Sequence, residues 1–387
     1  MALLNRCRNR SCTIVDRFSK SFLFLIVGIS VGKADILSYF NPPKAKSDTY
    51  YASFSAHAAN DPVSLKSFFH DWHGQYHPSS NQNLAIESSR LDLGVFLKDH
   101  YYIGYTYRHD VFMKASPDLT HLLYLTKNKL DLPLNREYAL YLNIGGVEAQ
   151  GIVCAKMLDF SSEKWGNLSV TFGVSLLYAK NVQDGVVSGN AISISPKDYD
   201  FQAVSSYYYT RNYLYDLDVD KAHGKGFSTH ITAHYRYQDF TMDLIVNDLF
   251  GKIYWDKLPY SYVSMSSANK YYDSDGYAQY HPLIHGIERY IDYVQVLPVK
   301  VYAEGKYTIN KHYLVSIGLE SVDQYIFPFN KIAYAPNEEE SYYLSYEYRF
   351  GSVTLGTKYK GMEISFSADR IIDPATVGIH LSTFFNF

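Results

Sequence analysis

The sequence lacks any apolar run that could span a bilayer as a helix. Its longest apolar stretch, Ser21 to Val31, is shorter than the 18 or so residues that a spanning helix needs. Cysteine is scarce as well, with three in 387 residues and two of them within the first 12, which is too few for a disulfide framework or a zinc cluster. The formal net charge is only −3, so a nucleic-acid partner has no electrostatic support. Helical membrane proteins, disulfide scaffolds and nucleic-acid binders are excluded.

Tyrosine, in contrast, is abundant. The chain has 39 Tyr, 22 Phe and 3 Trp, which brings aromatic residues to 17%, while only 19% of residues are charged. Aromatic side chains favour β-strands and the boundary between water and an apolar phase. A hydrophobic content of 47% excludes a disordered chain. The composition indicates a folded β protein in contact with such a boundary.

The first 34 residues have the pattern of a secretory signal peptide. Basic residues precede an apolar run over 22–29, and Gly32-Lys33-Ala34 places small residues where a signal peptidase cuts. We expect cleavage after Ala34; the alternative is a buried or membrane-anchoring helix. Without residues 1–34 the chain keeps 30 Lys and Arg against 38 Asp and Glu, a charge of −8. Residues 35–47 are predicted to be a short periplasmic N-terminal segment.

Apolar and polar residues alternate through the remainder of the chain. In residues 362–369, Met, Ile, Phe and Ala alternate with Glu, Ser, Ser and Asp, and the same period of two recurs in 91–97, 168–176, 344–350 and 377–387. Such a period places the apolar side chains on one face of a β-strand. The pattern therefore predicts an all-β fold.

Two architectures produce this alternation, a soluble sandwich and a membrane barrel whose apolar face is turned to lipid. The polar face is rich in Gly, Ser and Thr with isolated charges, which suits a wet interior. The strands have about ten residues, near the 9–11 or so that cross a bilayer. Tyrosine pairs such as Tyr101-Tyr102 and Tyr342-Tyr343 flank them, where an aromatic girdle is expected. We predict a transmembrane antiparallel β-barrel over residues 48–387.

The strand boundaries predict about sixteen strands, within a range of 14–16. The short connections near Lys98-Asp99-His100, Ser195-Pro196-Lys197-Asp198, Gln238-Asp239, Asn310-Lys311 and Lys360-Gly361 are expected on the periplasmic side. The long loops 58–86, 111–137, 214–225 and 261–286 are expected outside. Two of the sixteen segments, 185–194 and 324–333, rest partly on this alternation of short and long connections, and without them fourteen remain.

These features together resemble the outer-membrane β-barrel proteins of Gram-negative bacteria. The resemblance implies an outer-membrane location and contact with lipid and lipopolysaccharide. It also implies that the barrel-insertion machinery reads the C-terminal strand, with Phe385 and Phe387 as the signal. General porins are similar in strand number, but their constriction of clustered Arg opposite Asp and Glu is not found. Outer-membrane long-chain fatty-acid transporters are similar in size and in an N-terminal Asn-Pro element (Asn41-Pro42-Pro43), although the apolar plug sequence around it is missing.

Motifs for metal binding or catalysis are few. His70, His73 and His77 would share one face of a helix and could hold a metal ion, or they are ordinary loop histidines. Asp216, Asp218 and Asp220 imitate the start of a calcium loop, but Lys221 and Phe227 replace its Gly and Glu. Ser161 and Lys164 fit an S-x-x-K string without its partner motifs. We expect no catalytic residue and no cofactor.

Function must then come from the lumen or the loops. The leading hypothesis is a passive channel for small hydrophilic solutes with a weak cation preference. Its predicted lumen residues are Glu347, Glu363 and Asp369, offset by Arg349 and Lys358; they could instead pair across strands and pack the lumen. One alternative is a plugged or adhesin-like surface or assembly protein that binds partners through loops 58–86 and 261–286. Another is a transporter of hydrophobic solutes of the fatty-acid type.

Overall fold

The computed structural model describes residues 36–42, 48–70, 72–211, 219–267, 270–272, 278–280, 284–337 and 339–386. The predicted signal peptide, residues 1–34, lies outside the described residues. The described strands are β1 (Thr49–Asn60), β2 (Asn83–Leu97), β3 (Tyr101–Ala115), β4 (Glu137–Ser162), β5 (Gly166–Ser195), β6 (Asp198–Tyr209), β7 (Gly224–Tyr237), β8 (Phe240–Asn247), β9 (Lys252–Ser266), β10 (Lys270–Tyr272), β11 (Ala278–Tyr280), β12 (Ile284–Val296), β13 (Lys300–Thr308), β14 (Tyr313–Val322), β15 (Tyr325–Asn337), β16 (Glu340–Glu347), β17 (Ser352–Tyr359), β18 (Met362–Ala368) and β19 (Thr376–Asn386). Two short helices, α1 (Leu65–Phe69) and α2 (Pro117–Lys127), lie in the first two long loops.

The main sheet is a closed antiparallel barrel. Its first strand, β1, pairs with β2 on one side and with the last strand, β19, on the other, which closes the sheet. Closure leaves no free edge at the level of these strands, as a lipid environment demands. The two-residue turn Lys360-Gly361 joins β17 and β18 with φ values of 44° and 85°. Positive φ at both positions is what a tight hairpin turn matched to the strand twist requires.

The chain crosses the barrel wall repeatedly, and we call each crossing a passage. Three passages are each made by two successive strands instead of one. The first consists of β6 and β7, which both pair with β5; the next consists of β8 and β9, and the one after of β12 and β13. Within the described residues, the seventeen strands of the main sheet therefore make fourteen passages when each interrupted passage is counted once. The predicted barrel, with a range of 14–16, is confirmed.

Two details of the predicted strand map differ. The segments 168–180 and 185–194 belong to one 30-residue strand, β5, so no turn separates them. Consequently the turn at Ser195–Asp198 lies at the end of the barrel that carries the long loops, not at the end near the chain termini. We call these the loop end and the terminal end. The segment 324–333 is a separate strand, β15, as expected.

The two faces of the wall have opposite character. Outward side chains are apolar and exposed, for example Ile317 (74% exposed), Leu176 (65%) and Leu355 (61%). Inward side chains include many buried polar and charged groups, among them Arg108 and Glu320. A soluble protein has the reverse arrangement, so an apolar solvent such as a bilayer must cover the outside. No helix in the described part of the chain is long and apolar enough to cross a membrane.

The wall differs in height around the barrel. Strand β5 has 30 residues, whereas β16, β17 and β18 have eight, eight and seven. The loop-end halves of β5, β6 and β9 pair with one another and rise on one side as a curved extension. Helices α1 and α2 begin at the serine caps Ser64 and Ser116 and pack through a cluster that includes Trp72 and Leu123. The helices and the extension surround the lumen at the loop end.

Candidate functional site

A short N-terminal segment, residues 36–42, lies inside the barrel. Ile36, Leu37 and Phe40 are each at most 1% exposed, and the first two pack against Leu84 and Phe327 of the inner wall. The sequence predicts a short periplasmic segment over 35–47, without an apolar plug sequence; residues 35 and 43–47 lie outside the described residues. The structure differs because these three apolar side chains, although few, are enough to fill the narrow space between the strands.

A buried carboxylate holds the start of this segment. The backbone N–H groups of Ile36 and Leu37 donate to Oε1 and Oε2 of Glu320, at 2.9 and 3.0 Å. Glu320 belongs to β14 and is 1% exposed. Hydrogen bonds to a charged acceptor are stronger than neutral ones, and these two orient the chain inside the lumen.

Two further residues attach the segment to other strands. Ser38 exchanges hydrogen bonds with Ser88 of β2: its N–H donates to the Ser88 Oγ at 3.0 Å and its hydroxyl to the Ser88 carbonyl at 2.9 Å. The Tyr39 hydroxyl donates to the carbonyl of Val301 on β13 at 2.9 Å. The segment thus bridges opposite parts of the wall.

Phe40 occupies the centre of the lumen. Its ring lies 5.6 Å from that of Tyr102 and 4.9 Å from that of His230, measured between centroids. The Arg90 guanidinium lies 5.4 Å from the same ring, in a cation–π contact. Phe40 therefore joins β2, β3 and β7 across the interior.

Next to the segment is a cluster of four buried charges, which we call the central ion-pair cluster: Arg108, Asp110, Asp248 and Lys300. The Arg108 guanidinium donates to Asp110 at 2.8 Å and to both oxygens of Asp248 at 2.6 and 2.9 Å. Lys300 of β13 also pairs with Asp110, which belongs to β3. All four side chains are at most 5% exposed. Two positive and two negative charges balance, as buried ion pairs require.

Hydroxyl groups complete the cluster. Ser88 donates to Asp110 at 2.7 Å and Ser228 to Asp248 at 2.6 Å. Because Ser88 also binds Ser38, one hydroxyl contacts both the N-terminal segment and the cluster. The segment and the cluster therefore form one continuous barrier across the lumen.

Cavities lie on both sides of this barrier. The larger, of about 640 Å³, opens toward the terminal end and is bounded by the segment at Leu37, Tyr39 and Asn41. The smaller, of about 160 Å³, lies toward the loop end, with Arg108 and Asp110 in its lining. We refer to them as the lower and the upper cavity. The segment and the central ion-pair cluster lie between them.

Two of the five predicted lumen residues line the lower cavity. Lys358 on β17 and Glu363 on β18 are directly paired neighbours, and Glu363 also accepts a hydrogen bond from the Tyr343 hydroxyl at 3.3 Å. Neighbouring strands therefore bring these opposite charges together at the cavity surface.

The other three predicted lumen residues occupy the loop end instead. Glu347 accepts the N–H groups of Arg349 and Phe350 at 2.6 and 2.9 Å, and Arg349 pairs with Asp61 at 2.6 Å. Asp369 accepts the N–H groups of Ala375 and Thr376. Glu347 is the last residue of β16, whereas Arg349 and Asp369 follow the ends of β16 and β18 and belong to turns, so the five residues do not form one row. Their role in lining a path for solutes stays a prediction.

Sequence reasoning missed a network of ion pairs around Glu304 in the lower cavity. Glu304 accepts hydrogen bonds from Ser316 and Tyr302, both at 2.7 Å, and pairs with Lys331 at 2.9 Å and with Lys306 at 3.1 Å. Lys306 also pairs with Asp243 at 2.6 Å. The period of two in 300–308, which places 304 and 306 on one face, was the available signal.

Among the residues that the structure describes, the remaining motifs form no site. Helix α1 ends at Phe69, so His70, His73 and His77 share no helical face, and each contacts a different partner. Among the described residues there is no group of three metal-binding side chains. Asp216 and Asp218 lie outside the described residues. Ser161 and Lys164 flank the exposed turn between β4 and β5.

The C-terminal signal residues are described in part. Phe385 points outward and stacks on Tyr50 of β1, with ring centroids 5.6 Å apart. Phe387 lies outside the described residues, so its role in insertion stays a prediction.

Comparisons with known proteins give a limited likeness. No family model and no curated protein match the chain. Among solved structures, a TodX mutant described as a monoaromatic hydrocarbon channel has 9% identity and a TM-score of 0.42, over 88% of this chain and 90% of its own. The Pseudomonas putida toluene transporter TodX has 10% identity and a TM-score of 0.39, over 89% of this chain and 91% of its own. The Escherichia coli outer membrane protease OmpT has 11% identity and a TM-score of 0.27, over 89% of this chain and 99% of its own. These neighbours are Gram-negative outer-membrane β-barrels.

Proposed function

We propose that the protein is an outer-membrane channel that its own N-terminal segment closes. The observation that carries the proposal is the pair of cavities separated by residues 36–42 and the central ion-pair cluster. A permanently plugged barrel has no need of a large polar cavity behind its plug. Release of the segment would open the part of this barrier that the segment occupies, beside the central ion-pair cluster, and transport is then gated rather than continuous.

The contacts of the segment make release feasible. Apart from packing, the hydrogen bonds between the described residues of the segment and the wall include those to Glu320, Ser88, Val301 and Tyr51, which lie on separate strands. The central ion-pair cluster is complete without the segment, because its charges balance among wall residues. The wall can therefore persist when the segment leaves.

We further propose that small hydrophilic solutes pass with a weak cation preference. The charged side chains of the lower cavity are four acids and three lysines: Asp243, Glu304, Glu340, Glu363, Lys306, Lys331 and Lys358. An acidic excess in a pore lining favours cations. The excess is one charge, so the preference is expected to be small.

Solute flux into vesicles tests this function. Wild-type protein, a variant lacking residues 36–42 and a control with Glu163→Gln in the exposed β4–β5 turn are reconstituted into phosphatidylcholine vesicles, and swelling in a pentose solution is recorded. We expect slow swelling for wild type and the control and at least tenfold faster swelling for the deletion. Heat-modifiable migration verifies that each barrel is folded. A folded deletion variant that admits no pentose would favour the plugged surface protein.

A second candidate, transport of a small apolar solute, has one observation in its favour. An apolar pocket beneath α1 and α2, of about 40 Å³, is lined by Phe68, Trp72, Leu119 and Leu123. It shares Leu84 and Ile144 with the lining of the upper cavity, so the two cavities are adjacent at the loop end. Uptake of toluene, but not of pentose, by the deletion variant would favour this candidate over a hydrophilic channel.

A further inference from the structure

The loop between β18 and β19 presents two isoleucines to the surroundings. Ile371 is 99% exposed and Ile372 is 83% exposed, the highest values among the large apolar side chains of the described residues. Fully exposed adjacent isoleucines at a loop tip are unfavourable in water, since each leaves an apolar side chain solvated. Something apolar is therefore expected to cover them.

The loop is held rigidly, so this exposure is not the result of a free tip. At its base, Asp369 accepts the N–H groups of Ala375 and Thr376, both at 2.9 Å. On its far side, Asp373 accepts the Ser64 hydroxyl at 2.6 Å, and the Pro374 carbonyl accepts the N–H of Leu65 at 2.9 Å. These bonds tie the loop to the first long loop and leave the two isoleucines pointing away from the barrel.

The height of the wall places this tip at the outer boundary of the lipid. Strand β18 has only seven residues, and its outward side chains Met362, Ile364 and Phe366 form part of the lipid-facing surface. Seven residues at about 3.3 Å each, tilted by about 40°, rise about 18 Å, whereas the apolar band of such barrels is about 25 Å tall. The band therefore extends past the end of β18 to the level of the loop.

The neighbouring strands place the outer boundary of the lipid at the same level. Tyr346 of β16 is outward and 41% exposed, and it pairs with Val353, which in turn pairs with Ala368 at the end of β18. Exposed tyrosines at the end of an outward face mark the aromatic girdle at the lipid boundary. Ile371 and Ile372 follow within four residues of Ala368, at the level of this girdle.

We propose that Ile371 and Ile372 insert into the acyl chains of the outer leaflet and anchor there the side of the barrel that the short strands β16 to β18 form. The occupant is lipid because the apolar band of such a barrel, about 25 Å tall, extends past the last residue of β18 to the level of this loop. This contact fixes the depth of the short strands β16 to β18 in the membrane and does not depend on whether the lumen conducts.

Spin-label accessibility tests the proposal. Ile371→Cys and Ile372→Cys are made in a Cys154→Ser background, labelled with a nitroxide and reconstituted in phosphatidylcholine vesicles. Collision rates with oxygen, which concentrates in lipid, are compared with those of a water-soluble nickel chelate. Phe366→Cys serves as the lipid reference and Lys197→Cys, in the exposed β5–β6 turn, as the aqueous reference.

We expect both loop labels to resemble the Phe366 label, with an oxygen-to-nickel collision ratio at least fivefold above that of the Lys197 label and a shallower depth than Phe366. A ratio equal to that of Lys197 would overturn the proposal. So would an immobilised label shielded from both reagents, because that result means a protein partner or a second copy covers the tip.

Discussion

The two hydrogen bonds that Glu320 accepts give a sharp test of how the lumen is closed. In Glu320→Gln the side chain keeps its size, but only one of the two positions that accept the N–H groups of Ile36 and Leu37 still holds an oxygen. The other N–H then faces an amide NH₂, which is also a donor. The substitution removes one charge-assisted hydrogen bond and leaves a buried donor without a partner.

The expected loss of free energy for the seated segment follows from these contacts. Loss of a buried hydrogen bond to a charged group costs about 2 kcal/mol, which corresponds to a change of roughly 30-fold in the ratio of seated to released segment. The barrel wall is unchanged, so this cost acts on the segment and not on the strands.

Cysteine labelling measures this ratio. Ser38→Cys, in a Cys154→Ser background, places a thiol where the native side chain is 3% exposed, and a membrane-impermeant maleimide then reacts only with the released state. We expect Glu320→Gln to raise the labelling rate by about 10- to 30-fold, and Glu163→Gln to leave it unchanged. Equal labelling rates with and without Glu320→Gln, in folded barrels, would refute the role assigned to this carboxylate.

Four further predictions concern the wall, the central cluster, the lower cavity and assembly. Ile317→Arg, on the lipid face, should lower the free energy of unfolding in vesicles by about 2–4 kcal/mol, whereas Ile309→Arg in a terminal-end turn should cost about 1 kcal/mol or less; equal urea midpoints would contradict the face assignment. Arg108→Ala should cost about 3–5 kcal/mol because it strips the buried Asp110 and Asp248 of their partner, while the exposed Arg236→Ala should change stability by about 0.5 kcal/mol or less. In the variant lacking residues 36–42, Glu363→Gln should lower cation selectivity in reversal-potential measurements and Asp369→Asn should not, since only Glu363 lines the lower cavity. Phe387→Ala should reduce the folded amount in outer-membrane fractions without reducing synthesis, and normal abundance would count against the C-terminal signal.

The alternation of residues predicted the barrel because each strand has one face toward an apolar solvent and one toward a wet interior. Met362, Ile364 and Phe366 show this clearly, and all three are outward and exposed. The boundaries of interrupted passages were harder to predict. Residues 240–260 read as one strand, but the chain leaves the wall between β8 and β9, where Asp248 turns inward to bind Arg108.

The closure of the lumen could not be read from the sequence. Ile36, Leu37 and Phe40 form no recognisable repeat, and their partners, such as Glu320, are nearly 300 positions away. Period-2 alternation shows which residues face inward, but it does not show which inward charges meet. For the same reason the sequence does not predict that Arg108 and Lys300 share Asp110. Lys358 and Glu363, in contrast, are only five positions apart on a tight hairpin, so their pairing can be predicted from the sequence.

Single-channel recording in planar bilayers tests the central claim, that release of residues 36–42 opens a path through the lumen. Wild-type protein and the variant lacking these residues are recorded at the same voltage and salt concentration. The account predicts that the wild type shows long closed periods with rare openings, and that the deletion variant shows a steady open conductance. A wild type that is continuously open, or a folded deletion variant that stays silent, would contradict it.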